Sequence, residues 1–155
     1  MCMHTLSQAL KFDLEGIQQL DAEVYGEDAY SYMILRQFLD VAGELFLVCK
    51  DGRGHVVAYG IIVPSVSQGS GWLLSLVVGL SHRRKGIGTA LVNQLLDKAT
   101  LSSLEKIYLT VAPGNHSALS LYGRLGFATM EVEHHYFGPN KDRIIMCRSL
   151  GVQTG

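Results

Sequence analysis

The run Arg83-Arg84-Lys85-Gly86-Ile87-Gly88-Thr89 puts three cations and two glycines immediately before a stretch with helical apolar spacing. A helix starting there offers its first backbone N–H groups, which have no partner inside the helix, and the positive end of its dipole. Glycine at 86 and 88 lets the backbone approach an anion, or take a dihedral that a side chain would strain. Such a loop suits a pyrophosphate. Taken alone, the segment could also be a basic loop that only caps a helix. A dinucleotide fold fits less well, because the third glycine of G-x-G-x-x-G and the position after the first strand are both missing. The pattern G-x-x-x-x-G-K-S/T of a P-loop is absent too.

The elements that must hold this loop follow from periodicity. Residues 3–9 read as an opening strand, and Asp13 then precedes Leu14, Ile17, Leu20 and Val24 at helical spacing. Tyr25-Gly26-Glu27-Asp28 breaks that helix, and Tyr32, Leu35, Phe38 and Leu39 start a second one that Gly43 ends. Residues 45–50 and 55–64 flank Asp51-Gly52-Arg53-Gly54 as a hairpin. Residues 72–78 are too uniformly apolar for an edge and are predicted to form a central strand. After the basic loop, Ile87, Ala90, Leu91 and Leu95, widened by Val92, Leu96 and Ala99, make a helix face for packing on a sheet. Residues 106–111 form a strand, and Asn115 caps a short helix that places Ala118, Leu121, Tyr122 and Leu125 on one face and closes at Gly126. Residues 127–136 and 143–148 are the last two strands. The order β-α-α-β-β-β-α-β-α-β-β predicts one α/β domain over 1–155, with a mixed sheet of about seven strands and about four helices.

With 155 residues, 48% apolar and 17% charged, the chain can bury a core without disulfides or a structural metal. A net charge of −1 and the lack of a long basic run argue against nucleic acid or an anionic membrane as partner. Cys2, Cys49 and Cys147 are odd in number and widely spaced, which excludes a C-x-x-C zinc knuckle and speaks against a disulfide framework. The longest nearly apolar run, 72–80, is about half of the ~20 residues a membrane span needs. Met1-Cys2-Met3-His4 lacks a signal-peptide layout. The expected compartment is the cytoplasm. A homodimer is compatible with the sequence, which does not itself fix the oligomeric state.

Arg83-x-x-Gly86-x-Gly88 matches in full the signature Q/R-x-x-G-x-G/A, and in this the chain resembles the GNAT family of N-acetyltransferases. Leu76-Val77-Val78 look like the strand whose backbone meets pantetheine in that family. Asn115-x-x-Ala118-x-x-x-Tyr122-x-x-x-Gly126-Phe127 extends the match, so that the likeness covers roughly 43–150. It implies a mostly antiparallel sheet, acetyl-CoA as donor, and a cofactor site at Leu76, Val77, Val78, residues 83–89, Asn115 and Tyr122. Within the family the chain is most similar to N-terminal amine acetyltransferases of the ribosomal-protein alanine type. That likeness rests on Ile107-Tyr108-Leu109-Thr110-Val111, on Tyr136 with Asp142-Arg143-Ile144-Ile145-Met146, and on Tyr30-Ser31.

Acetyl transfer needs a neutral amine, a donor for the developing oxyanion and a proton for the departing thiolate. The resemblance gives the last task to Tyr122; its plain alternative is a core aromatic beside Ala118 and Leu125. The backbone N–H of Val78 would serve the oxyanion if a local distortion left it unpaired. Where the compared enzymes carry Glu or His as base, this chain has Thr110, which cannot accept a proton near neutral pH. An α-amine is already roughly a tenth neutral at pH 7, whereas a lysine amine is neutral about once in 2,500 molecules. Thr110 therefore suits an α-amine acceptor or a relayed base, with Glu131, Glu133, His134, His135, Asp21 and Glu23 as candidates. As strand neighbours, His134 and His135 would face opposite ways, a poor metal pair. Tyr25, Glu27, Asp28, Tyr30, Tyr136 and Phe137 resemble the loops beside the acceptor groove, and Tyr25, Tyr30, Thr110 and Tyr136 are the expected acceptor contacts. A small-molecule amine, a lysine side chain, or acyl-CoA binding without turnover are the other readings.

Overall fold

A computed structural model describes residues 3–151; the sequence readings at Met1 and Cys2 lie outside them. The chain runs β1 (Thr5–Gln8), α1 (Leu14–Tyr25), α2 (Tyr32–Ala42), β2 (Phe46–Lys50), β3 (Val56–Pro64), β4 (Ser70–Val78), α3 (Ile87–Leu101), β5 (Lys106–Val111), α4 (His116–Arg124), β6 (Ala128–Glu133) and β7 (Arg143–Ser149). The strands form one sheet in the order β1-β2-β3-β4-β5-β7-β6. Only β4 and β5 run parallel, joined by the α3 crossover; the other neighbours are antiparallel. The expected seven strands, four helices and mixed, mostly antiparallel pairing are all present.

β3 shows how the layers form. Tyr59 reaches Asp21 of α1 on one face, while a Cβ on the next residue, Gly60, would lie 2.9 Å from Leu95 Cδ1 of α3 on the other. The period of two along a strand thus places α1 and α3 on opposite faces. Leu14, Ile17 and Leu20 of α1 are buried, as are Ile87, Leu91, Val92, Leu95, Leu96 and Ala99 of α3; Ala90, expected on that stripe, is exposed. Ser31 caps α2 by accepting from the Ile34 N–H at 3.3 Å. Asp13 does not cap α1. It closes the preceding turn by accepting from the Leu10 N–H at 2.9 Å and pairs with Lys50 at 2.6 Å.

Two sequence boundaries move for a physical reason. β4 begins at Ser70, and it is central but only partly buried: Leu74 is exposed, and Leu76 and Val78 are intermediate. Leu74 and Leu76 line a groove, while Leu73 and Val77 are buried in the core. β6 ends at Glu133, so His134 and His135 lie in a turn and not in a strand. His135 has φ +56°, and the Asp142 carboxylate accepts from its N–H at 2.9 Å, so residues 134–142 close on themselves before β7.

Candidate active site

β4 and β5 pair only where Ser70–Trp72 meets residues 106–108. Beyond that, β4 stays with β3 while β5 follows β7, and the two parallel strands part. The Gly79 N–H donates to the Val57 carbonyl at 2.9 Å, which makes Ala58 and Val78 a pair that does not exchange hydrogen bonds. The N–H and C=O of Val78, and by alternation those of Leu76, therefore point into the gap, while Val77 turns its own toward β3. The Val78 carbonyl accepts from Arg83 Nε at 3.3 Å. A bulge does exist in β4, but it lies at Leu74, where pairing jumps from Ile61 with Ser75 to Ile62 with Leu73. Val78 is left open by the departure of β5, and not by a distortion at its own position.

At one end of the gap α3 begins. Gly86, at φ +77°, is its N-cap and supplies no side chain, and the first helical bond runs from the Ala90 N–H to the Gly86 carbonyl at 3.0 Å. The N–H groups of Ile87, Gly88 and Thr89 therefore have no partner in the helix. Arg83, Arg84 and Lys85 are exposed around them, and Arg84 also takes a positive φ of +63°. A Cβ at Gly86 would meet nothing within 4 Å, so its glycine answers the backbone dihedral. At Gly88 a Cβ would meet Leu121, Val78 and Leu76 at 3.7–3.9 Å, which is ordinary contact. Uncapped donors, a positive φ and flanking cations fit the pyrophosphate of a coenzyme A, and the open edge of β4 fits its amide-bearing arm.

α4 rises on the β5 side of the gap. Asn115 accepts from the Ala118 N–H at 3.1 Å, and Gly126, at φ +89°, turns the chain out of the helix. Tyr122 is buried and edge-on to Phe127 at 5.7 Å, yet it lines the groove. Burial holds its phenol above the ordinary tyrosine range; Tyr25 adds to this and Arg143 opposes it.

The gap opens into a groove of about 780 Å³, walled by the α1–α2 loop and the β6–β7 turn as well as by β4 and β5. Tyr25, Tyr30 and Thr110 line it, with Asp28 and Phe137; Glu27 and Tyr136 do not, and Tyr136 packs edge-on to Phe137 at 4.8 Å. Lys141 Nζ lies 3.7 Å from Asp28 Oδ1, linking the two loops. Thr110 is not free: its hydroxyl accepts from Arg143 Nε at 3.1 Å and its carbonyl from Arg143 Nη2 at 3.0 Å.

The relayed-base candidates separate here. Glu131 and Glu133 sit on exposed β6, Glu23 lines a different hollow beside Lys50, and His134 Nδ1 lies 3.0 Å from Asp142 Oδ2. No three metal-binding side chains converge among the described residues. Asp21 alone of the six lines the groove. It is 1% exposed, accepts from the Tyr30 N–H at 2.7 Å and from the Tyr59 hydroxyl, and the Ser75 hydroxyl donates to Tyr59 Oη at 3.1 Å. Asp21 follows Ile17 by four residues on the buried face of α1, a placement the apolar spacing already marked. Tyr59 and Ser75 carried no comparable local signal, and Arg143 entered only as part of the likeness at residues 142–146.

Known proteins share this fold. An N-alpha-acetyltransferase of Sulfurisphaera tokodaii is 27% identical over 151 residues, covering 89% of this chain and 88% of that protein. The [ribosomal protein bS18]-alanine N-acetyltransferase of Escherichia coli is 27% identical, covering 97% of this chain and all of that protein. The chain spans 29% of the length of another relative, an uncharacterized N-acetyltransferase of Bacillus subtilis, 42% identical over 72 residues. The crystal structure of Ard1 from Thermoplasma volcanium superposes with a TM-score of 0.88 at 21% identity, covering 96% of this chain and 99% of that one. The model of the acetyltransferase (GNAT) family matches residues 10–127, and the chain therefore belongs to that family, as an N-acetyltransferase that takes its acetyl group from acetyl-CoA.

Proposed function

We propose that the acceptor is the α-amine of a peptide or protein N-terminus, acetylated by direct attack in the gap between β4 and β5. The observation that carries this is the blocked Thr110: Arg143 occupies the hydroxyl where a base would stand, so the groove favours an amine that is already partly neutral. The relatives named for N-alpha and ribosomal-protein alanine acetylation support the same acceptor class.

Bound acetyl-CoA supplies a thioester carbonyl and a thiolate leaving group. Ile87, Gly88 and Thr89 N–H groups with Arg84 and Lys85 hold its pyrophosphate, and the β4 edge at Leu76 and Val78 holds its arm. The Val78 N–H, free of β3, stabilises the negative charge that develops on the carbonyl oxygen. Tyr122, kept protonated by burial, gives its proton to the departing sulfur. The proton lost by the amine passes to Ser75 Oγ, whose own proton moves to Tyr59 Oη as Tyr59 gives its proton to the Asp21 carboxylate. Tyr25 and Tyr30 shape the acceptor side, where burial, followed by Asp21, keeps both phenols above the ordinary range. The cytoplasm suits the unpaired Cys49 and Cys147.

Incubation with acetyl-CoA and a panel of peptides, polyamines and lysine-containing peptides with blocked N-termini, read by mass spectrometry, tests the acceptor class. Acetyl groups on peptide α-amines are expected. Products confined to polyamines or lysine side chains would overturn it.

A further inference from the structure

The carboxylates that line the groove are occupied, by a cation or by neutral donors, and of its two cations only Lys141 has an anionic partner among the described residues. Asp21 takes the Tyr30 N–H and the Tyr59 hydroxyl, Asp28 faces Lys141, and Asp142 holds the 134–142 turn through the His135 N–H and His134. Arg143 has only neutral partners. Among the described residues it forms no ion pair, and Glu133, opposite it in the β6–β7 register, is exposed and makes none with it. A partly buried cation without a counter-ion is costly, and that cost falls when an anion arrives.

The geometry also says which part of the guanidinium is offered. Nε and Nη2 are committed to the Thr110 hydroxyl and carbonyl, at 3.1 and 3.0 Å, and the Phe137 ring centroid lies 5.0 Å from Cζ. Thr110 and Phe137 fix the plane. Both Nη1 N–H groups and the second one of Nη2 remain, on the edge that binds a carboxylate through two parallel hydrogen bonds. A hydroxyl or a single carbonyl would use that edge only in part.

We infer that Arg143 seats an anionic group of the acceptor, so that the preferred substrate carries a carboxylate close to the amine being acetylated. This rests on the acetyl-transfer reading above and narrows it. The carboxylate has two sources: an acidic side chain at the first or second residue of a peptide, or the α-carboxylate of a free amino acid. An acceptor with a second cation near its amine is disfavoured by the same residue.

The test is a set of matched acceptors assayed with acetyl-CoA: peptides differing only in Asp or Asn at residue one, the same pair at residue two, and alanine against alaninamide. Rates are compared per neutral amine. Wild type is expected to favour at least one carboxylate member by about tenfold or more in kcat/KM, mainly through KM, as befits one bidentate ion pair. A preference in the peptides assigns the carboxylate to a side chain, and one in the alanine pair assigns it to a free amino acid. Arg143→Gln should bring the favoured ratio close to one, and Arg143→Lys should keep part of it. Ratios near one in all three wild-type pairs overturn the inference, as does a ratio unchanged in Arg143→Gln. Should Arg143→Gln fail to fold, the wild-type ratios and their decline with added salt decide alone. If no amine is acetylated at all, the acetyl-transfer reading fails separately. Calorimetric titration of the CoA-bound protein with the Asp and Asn peptides then tests Arg143 without turnover, and equal affinities would overturn it.

Discussion

Replacing Tyr122 with Phe removes one oxygen from the wall of the groove and leaves everything else that the residue does. Its ring still meets Phe127 edge-on, and its hydroxyl makes no hydrogen bond among the described residues, so no partner is left unsatisfied. Folding should change by less than about 1 kcal/mol, a shift of no more than about 2–4 °C in Tm. CoA affinity should fall by at most about fivefold, the worth of one ordinary hydrogen bond. Turnover should fall by about 10²–10⁴, or roughly 3–5 kcal/mol of barrier, because the thiolate then leaves without a positioned proton. Burial raises the phenol above its usual pKa, so its proton-donating form persists below about pH 10. The wild-type rate should therefore climb with pH as the amine loses its proton, with no fall before about pH 9.5. The assay is steady-state thiol release with a peptide acceptor, run beside thermal melting and CoA titration. An unchanged kcat in Tyr122→Phe refutes the acid role, and a lost kcat accompanied by a collapsed Tm refutes the reasoning that separates chemistry from packing.

Asp21→Asn can keep its carbonyl for the Tyr30 N–H, but its amide NH2 then meets Tyr59 Oη as a donor and cannot take up a proton, so kcat/KM should drop more than about tenfold at pH 7 and recover in part at alkaline pH. A pH-independent loss that follows Tm would make Asp21 structural only. Gly86→Ala meets no atom within 4 Å but must hold φ near +77°, so isothermal titration should show weaker CoA binding, and denaturation a loss of about 1–2 kcal/mol. Gly60→Ala would push a Cβ to 2.9 Å from the fully buried Leu95, and chemical denaturation should record a loss of about 1–3 kcal/mol with CoA binding retained.

What the sequence determined by itself was whatever depends on neighbours along the chain. Helical spacing located α1 to α4, the glycines at 43, 86 and 126 fall at positive φ as helix-end residues, and the cations before Ile87 mark the uncapped start of α3. These are short-range effects of backbone dihedrals and amphipathic periods, so a window of a few residues contains them. The donor end of the active site is built from such pieces and was legible. Strand ends were less so: His134 and His135 looked like a continuation of β6, and only Asp142, arriving from the far side of the turn, folds them out of it. The acceptor end belongs to tertiary structure. Arg143 reaches Thr110 across 33 residues because β7 pairs with β5, and Tyr59 reaches Asp21 across 38 because α1 lies on β3. Even the open N–H of Val78 is a property of β5 turning away, since a strand's own residues do not say which neighbour will leave it.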